Sequence, residues 1–193
     1  MSAWNEVIKY LSIIDIKPTA LFDDINFLIT ARCKPETSGM YVMMADAMQE
    51  KPDAENKKIP LFGHGYPLGY HSNRYLSEIL DDFRVVGTNY VTWWSLDYTG
   101  NNVYESLFSA YNFAFLNLSQ SSRDKKLSAL IKQSGAKCAV VLHNKSCKCD
   151  FVSARNINVP QAELEIDMFD RMYLDNEKAR NQITLLKETI CTA

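Results

Sequence analysis

The sequence lacks the features that would place it in a membrane or in the secretory pathway. Its longest apolar runs, for example residues 138–142, fall far short of the roughly 20 residues that cross a bilayer. The N-terminus, MSAWNEVIKY, has no basic start followed by an apolar stretch, so it does not indicate a signal peptide. These two absences predict a cytoplasmic protein that does not bind a membrane.

The chain also lacks an excess of charge of either sign. Lys and Arg number 21 against 23 Asp and Glu, which gives a formal net charge of -2. No broad positive field is available to attract phosphate backbones, so nucleic-acid binding is disfavoured. Hydrophobic residues make up 47% of the 193 residues, which is enough for a globular core in one domain plus an appendage.

Cysteine is scarce and irregularly spaced. The five cysteines, an odd number, form no even framework, which argues against disulfides and for a reducing compartment. Only Cys147 and Cys149 lie close together in the sequence. One C-x-C pair falls short of the about four ligands that a closed zinc or iron–sulfur site needs, so the residues alone do not predict a complete metal site.

Two regions of different character follow each other along the chain. The first fifty residues carry apolar side chains at three-to-four spacing, and Pro18 and Pro35 divide them into three predicted helices. A charged stretch over residues 49–58 has no apolar periodicity, which predicts a solvated connector. We therefore predict a helical segment and connector over residues 1–58 and an α/β domain over residues 59–193.

Short apolar runs alternate with amphipathic helices in the second region. The predicted strands cover residues 59–62, 84–91, 137–143 and 162–166, and the predicted helices cover about 72–83, 103–116, 121–134 and 176–191. Gly135 is a plausible C-cap. Strands that alternate with helices, and runs that are apolar throughout, indicate a parallel sheet covered on both sides. The predicted fold is a three-layer α/β domain with a four-stranded parallel sheet and helices on both faces, preceded by a helical segment.

In such a sheet ligands bind beyond the carboxyl ends of the strands, so the loops there are the candidate sites. The loop over residues 63–69 is rich in glycine, which would let a ligand approach the backbone, but it is neither GxGxxG nor a P-loop. A tight strand-to-helix turn is the favoured interpretation of this loop. The loop over residues 93–100 is aromatic, and its tryptophans are expected in the core. The acidic residues near the last strand are interpreted as a solvated edge: Glu163, Glu165, Asp167 and Asp170.

The third loop contains Cys147. If a helix begins shortly after this residue, its thiol lies between a strand tip and a helix N-terminus, and Lys145 and Lys148 add positive charge. That setting favours a thiolate that acts as nucleophile or metal ligand. The alternatives are two inert thiols and a zinc or redox site on Cys147 and Cys149. A Cys/His hydrolase that uses His143 is disfavoured because no orienting carboxylate is evident.

Taken in order, four segments resemble those of one family. IPLFGHGYPLG is similar to a first strand and glycine turn, and SLDYTG stands at the position of an Asp-x-Cys-Thr-Gly loop. AVVLHNKSCK is similar to the Asn-Arg-Ser-Cys-Lys loop of an α-type subunit, and AELEIDMFD to a closing strand and acidic turn. From about Trp4 to Thr189 the chain thus resembles the C-terminal domain of an α-type subunit of the 2-hydroxyacyl-CoA dehydratase and benzoyl-CoA reductase family.

This resemblance implies a component of an (R)-2-hydroxyacyl-CoA dehydratase, a lyase that eliminates water by a radical route to give an enoyl-CoA. It implies a [4Fe-4S] cluster, with Cys147 as the one metal ligand that this domain supplies. It also implies contacts with the acyl-CoA substrate at Gly65, Ser146 and Lys148. The implied partners are an N-terminal domain or companion subunit, a β-type subunit and an ATP-dependent activator that donates electrons.

The sequence departs from the family pattern at two positions. Tyr98 stands where the family usually has a cysteine, and Cys149 follows Cys147 where another residue is typical. The other two cysteine ligands belong to a domain that is expected to precede Met1, so the chain is expected to be inactive alone. The alternative functions are a non-catalytic paralogue that binds an acyl-CoA or a partner, and part of a benzoyl-CoA-reductase-like enzyme.

Overall fold

The structure, a computed structural model, describes residues 34–49, 57–66, 78–93, 96, 98–146, 157–167, 170 and 174–192. Within these ranges the helices are α1 (Pro35–Gln49), α2 (Val103–Asn112), α3 (Gln120–Ser134) and α4 (Asn176–Thr192). The strands are β1 (Ile59–Gly65), β2 (Phe83–Thr88), β3 (Cys138–Asn144) and β4 (Gln161–Ile166). Two 3-10 helices, η1 (Tyr90–Trp93) and η2 (Phe115–Asn117), complete the elements.

The four strands form one parallel sheet in the order β2-β1-β3-β4. β1 and β3 lie in the middle, where both faces are covered, and this explains their continuous apolar sequences. Gly65 at the end of β1 pairs with Leu142, and Asn144 at the end of β3 pairs with Ile166. Because all strands are parallel, their carboxyl ends lie together at one edge of the sheet.

Helices cover both faces of this sheet. On one face α3 packs Leu127 and Ile131 against Phe62 and Ala139. On the other face α1 and α4 contribute to a larger core cluster through buried Tyr41, Ala45, Ala179, Ile183 and Leu186. The predicted three-layer α/β fold, with a helix before the sheet, is confirmed.

Local sequence signals fix the ends of α3. The Ser119 hydroxyl accepts a hydrogen bond from the backbone N–H of Ser122 at 3.3 Å, which caps the helix N-terminus. Gly135 ends the helix with φ of 69°, a left-handed conformation in which a Cβ is unfavourable. The predicted C-cap is confirmed. The predicted C-terminal helix is also confirmed as α4, in which Ile183 and Leu186 are buried.

Two boundaries predicted around β2 were wrong. The strand predicted over residues 84–91 ends at Thr88, because the chain turns into η1 at Tyr90. The helix predicted over about 72–83 ends before Phe83, which begins β2. Residues 72–77 of that predicted helix lie outside the described residues.

Two further expectations are corrected by the structure. The helix predicted over residues 103–116 stops at Asn112, since Asn117 Nδ2 donates to the carbonyl oxygen of Tyr111 at 2.6 Å and the chain continues as η2. The expectation that the strands are apolar throughout fails for β4. Its residues alternate between exposed and buried because β4 is the last strand of the described sheet and packs α4 against one face.

Other predictions concern residues that the structure does not describe. The helices predicted before residue 34 and most of the charged connector lie outside the described residues, so the domain boundary at residue 58 stays a prediction. The third predicted helix of that region is confirmed as α1. None of the helices in the described ranges is long and apolar enough to cross a membrane.

Candidate functional site

The crevice between the carboxyl ends of β1 and β3 is the candidate site. The chain leaves β1 towards β2 on one side, while β3 lies on the other side and leads to β4. In open α/β sheets ligands bind at this kind of switch point, where neighbouring strands connect in opposite directions. The ends of these two strands, at Gly65 and Asn144, therefore form the two walls of the crevice.

Asn89 holds the end of β1 in place. Its side-chain Oδ1 accepts a hydrogen bond from the backbone N–H of Gly65 at 2.9 Å, and its own N–H donates to Gly63 O at 3.2 Å. The asparagine is completely buried. Gly65 has φ of 89°, which glycine adopts without steric cost. A glycine and a buried amide thus fix the first wall of the crevice.

An aromatic cluster lies beside this wall. Trp93 contacts the ring of Tyr66 edge to face with centroids 5.6 Å apart, and the ring of Tyr90 at 5.1 Å. All three side chains are buried. The expected core position is confirmed for Trp93, whereas Trp94 lies outside the described residues. These aromatics form a buried cluster beside the end of β1.

Three hydrogen bonds fix the base of the loop after β3. The backbone N–H of Ser146 donates to Asn144 Oδ1 at 3.2 Å, and the Ser146 hydroxyl donates to Asp167 Oδ2 at 2.6 Å. The N–H of Lys145 donates to the carbonyl oxygen of Ile166 at 2.9 Å. Lys145 and Ser146 are both exposed. The hydrogen bonds to Ile166 and Asp167 therefore hold the loop base at the end of β4, without a contribution from burial.

The structure describes two of the four predicted site residues. Gly65 and Ser146 lie at the ends of the neighbouring strands β1 and β3, on opposite walls of the crevice. Cys147 and Lys148 directly follow Ser146 and lie outside the described residues, as does Cys149. The hydrogen-bonded loop base is therefore the described structure nearest in sequence to the predicted metal ligand.

Sequence reasoning missed two residues that shape the crevice. Asn89 was placed inside a predicted strand, and Asp167 was assigned to a solvated edge. The sequence contained a signal for Asn89. A polar residue near the end of an apolar run marks the carboxyl end of a strand, where ligands bind. The partner of Asp167 is 21 residues away in sequence, and only the β3–β4 register brings Ser146 near it.

The loop over residues 98–102 lies against the start of α2. The N–H of Asn101 donates to Glu105 Oε2 at 2.9 Å, which ties the loop to the first turn. A Cβ on Gly100 would lie 2.5 Å from the backbone nitrogen of Ser106, so the close approach requires glycine. Tyr98, which stands at the usual cysteine position, is 46% exposed. A phenol ring at this position supplies no thiolate.

The described residues do not form a complete metal site. No group of three or more His, Cys, Asp or Glu able to hold a metal ion occurs among them. The cysteines that the structure describes, Cys138 and Cys191, are free thiols. His143 pairs instead with Glu163 across the strands at 3.2 Å.

Cys138 is unsuited to ligand binding because it is buried at the start of β3. Its side chain is completely excluded from solvent, and its Sγ lies 3.7 Å from Pro60 O. Burial raises the pKa of this thiol to about 12. The thiolate, which is the form that reacts and binds metals, is therefore scarce at neutral pH.

We expect alkylation of the native protein to modify Cys191 and to leave Cys138 intact. Cys191 is exposed, whereas a thiol with a pKa of about 12 is ionised in only about one molecule in ten thousand near pH 8. Peptide mass spectrometry after brief iodoacetamide treatment measures both sites. The urea-unfolded chain is the control in which both cysteines react. Equal native labelling of the two would contradict the buried position.

The fold defines a class: a parallel α/β domain of the kind in which ligands bind beyond the carboxyl ends of the strands. A sequence model of the family described as 2-hydroxyglutaryl-CoA dehydratase, D-component, matches residues 2–190, and the chain belongs to this family. A comparison with curated proteins gave no match. The resemblance to the 2-hydroxyacyl-CoA dehydratase family is confirmed, and a D-component implies a companion subunit in a complex.

Proposed function

We propose that the chain is a component of an iron–sulfur (R)-2-hydroxyacyl-CoA dehydratase. The reaction removes the 2-hydroxyl group and a hydrogen from C3 as water and leaves an enoyl-CoA, so it causes no net oxidation. The observation that carries this proposal is the hydrogen-bonded loop base before Cys147, in a chain that matches the dehydratase family over residues 2–190. Ring reduction of an aromatic acyl-CoA is the related alternative.

The proposed cofactor is a [4Fe-4S] cluster with Cys147 as its ligand from this chain. A ligand must point in a fixed direction, and groups that hydrogen-bond around it supply that order. Ser146, the residue before it, is held by Asn144 and Asp167. When bound, the cluster supplies single electrons for the radical elimination. The remaining cysteine ligands would come from an N-terminal domain or companion subunit.

The proposed substrate contacts are at Gly65, Ser146 and Lys148. Gly65 leaves the wall of β1 without a side chain, and the exposed position of Ser146 faces solvent beside the loop. A β-type subunit and an ATP-dependent activator are the proposed protein partners. We place the enzyme in the cytoplasm because an open cluster and free thiols need a reducing compartment.

Loss of iron on substitution of Cys147 tests the proposal. The chain is produced anaerobically together with an N-terminal half and a β-type subunit, and the purified complex is expected to be brown. Cys147→Ala is expected to lose most of the iron, because one of the few thiolate ligands is gone. Iron per complex and visible absorption measure the effect, and size-exclusion chromatography confirms that the complex still assembles.

Cys149→Ala is the matched control, since it removes a neighbouring thiol that the proposal gives no role. It is expected to keep the iron of the unsubstituted complex. Unchanged iron in Cys147→Ala would contradict the proposal, and equal loss in both variants would favour a site built on the C-x-C pair. A complex that binds an acyl-CoA in calorimetry but contains no iron would instead support the non-catalytic alternative.

A further inference from the structure

A large apolar surface covers the outer side of α2 and the turn after it. Its seven side chains are between 38% and 84% exposed: Val103, Tyr104, Leu107, Phe108, Tyr111, Phe113 and Leu116. The five that belong to α2 fall within a stripe about 140° wide on a helix with 3.6 residues per turn. We call these seven residues the α2 surface.

The inner side of α2 is built from small residues. Ala110 is the one buried residue of this helix, and Ser106 and Ser109 are half-buried. A helix usually turns its large apolar side chains towards its own core, and a helix of this length is not stable by itself in water. The capped start and the small inner residues fix the orientation of α2 and leave its large apolar face outside.

The α2 surface has the size of a specific interface. From the exposed fractions and the area of each side-chain type, it presents roughly 800 Å² of accessible surface. Monomeric proteins seldom expose a contiguous apolar patch of more than a few hundred Å². About 800 Å² on each of two partners is what a standard stable interface buries.

The α2 surface also carries almost no charge. Glu105 is the one charged residue between positions 101 and 122, and its Oε2 accepts a hydrogen bond from the N–H of Asn101. Partners of different sequence are commonly selected by complementary charges, which this surface does not offer. Two identical uncharged surfaces meet without repulsion, so the composition favours self-association.

We propose that the α2 surface binds a second copy of the chain. In this dimer α2 packs antiparallel to its symmetry mate, with the twofold axis passing near Leu107 and Phe108 at the middle of the helix. A twofold interface places the same patch on both subunits, and the antiparallel arrangement sets the two helix dipoles in opposition. The proposal rests on this surface alone and is independent of the cluster.

Sedimentation velocity of the purified full chain tests the dimer. The unsubstituted chain is expected to sediment as a dimer at micromolar concentration. Phe108→Glu brings two carboxylates together at the axis and is expected to weaken dimerisation by about 100-fold or more. Tyr104→Glu is a second variant, because this side chain is 84% exposed and contributes little to its own fold. Circular dichroism confirms that both variants are folded.

Leu185→Glu is the matched control. This side chain is 58% exposed on α4, outside the α2 surface, and its substitution is expected to leave the dimer intact. A mixture of Phe108→Glu and Phe108→Lys is expected to restore a one-to-one dimer, because a twofold axis places residue 108 near its own copy. No other occupant of the surface predicts that rescue.

Three outcomes would overturn the proposal. The first is an unsubstituted chain that is monomeric at about 100 μM. The α2 surface would then be covered by another occupant, such as the chain's own N-terminal residues or a companion subunit. The second is a dimer that Phe108→Glu and Tyr104→Glu leave unchanged. The third is equal dissociation by Leu185→Glu. Iron content of the co-expressed complex is a separate measurement, so the dimer and the proposed function fail independently.

Discussion

Phe62→Ala is expected to destabilise the fold by about 3–5 kcal/mol. The Phe62 side chain is 2% exposed and belongs to the core on the α3 face of the sheet. Few fully buried side chains share that core, namely Leu127, Ile131 and Ala139, so the loss of a ring leaves a cavity that they cannot fill. Urea unfolding monitored by circular dichroism measures the change in free energy of unfolding.

Gly87 provides a second test of the same packing. A Cβ at this position would lie 3.0 Å and 3.1 Å from two ring carbons of Phe62 and 3.1 Å from the Cβ of Ser134. Gly87→Ala is therefore expected to cost about 1–3 kcal/mol in the unsubstituted chain. Once the Phe62 ring is removed, much of that cost is expected to vanish, which gives a coupling free energy of about 1 kcal/mol between the two positions.

Gly39→Ala is the matched control for the glycine substitution. Gly39 lies inside α1, and a Cβ there would have no heavy atom within 4 Å. The substitution is expected to stabilise the chain by up to about 1 kcal/mol through helix propensity. Two results would show that the Phe62 ring is not packed between Gly87 and α3. One is a cost of less than about 1 kcal/mol for Phe62→Ala, and the other is simple additivity of the Phe62→Ala and Gly87→Ala effects.

These packing partners show what the sequence could predict and what it could not. Apolar runs predicted β1 and β3 because strands buried on both faces need apolar side chains throughout. Gly135 predicted the end of α3 because a left-handed C-cap favours glycine. The close approach of Gly87 to Phe62 depends on a register irregularity between β1 and β2, which no local pattern encodes.

In the candidate site, too, some features were predictable from local sequence and others depend on the folded chain. Local motifs predicted a glycine turn over residues 63–69 and a cysteine loop, since each is carried by consecutive residues. The turn was placed too early, because residues 63–65 belong to β1. The groups that hold those loops come from other strands: Asn89 from the end of β2 contacts Gly65, and Asp167 from the end of β4 contacts Ser146. Strand order and register decide these contacts, so they became visible only in the folded chain.

Asn89→Ala is expected to destabilise the fold by about 1–3 kcal/mol and to loosen the end of β1. The substitution removes the acceptor of the Gly65 N–H at a position that is completely buried, where water does not readily replace it. Gly65 also has a positive φ, so its conformation depends on that hydrogen bond more than on steric restriction. Amide hydrogen exchange of Gly65 is expected to accelerate.

Thr88→Val is the matched control for this residue. The Thr88 hydroxyl accepts a hydrogen bond from the N–H of Tyr90 at 3.2 Å, but the site is half-buried and solvent can replace the lost acceptor. Its expected cost is about 0.5–1 kcal/mol, with little change in exchange at Gly65. Equal costs for the two variants, or an unchanged Gly65 exchange rate in Asn89→Ala, would show that the buried amide does not hold the crevice wall. A clear difference would make Asn89 the residue that keeps one side of the candidate site in place.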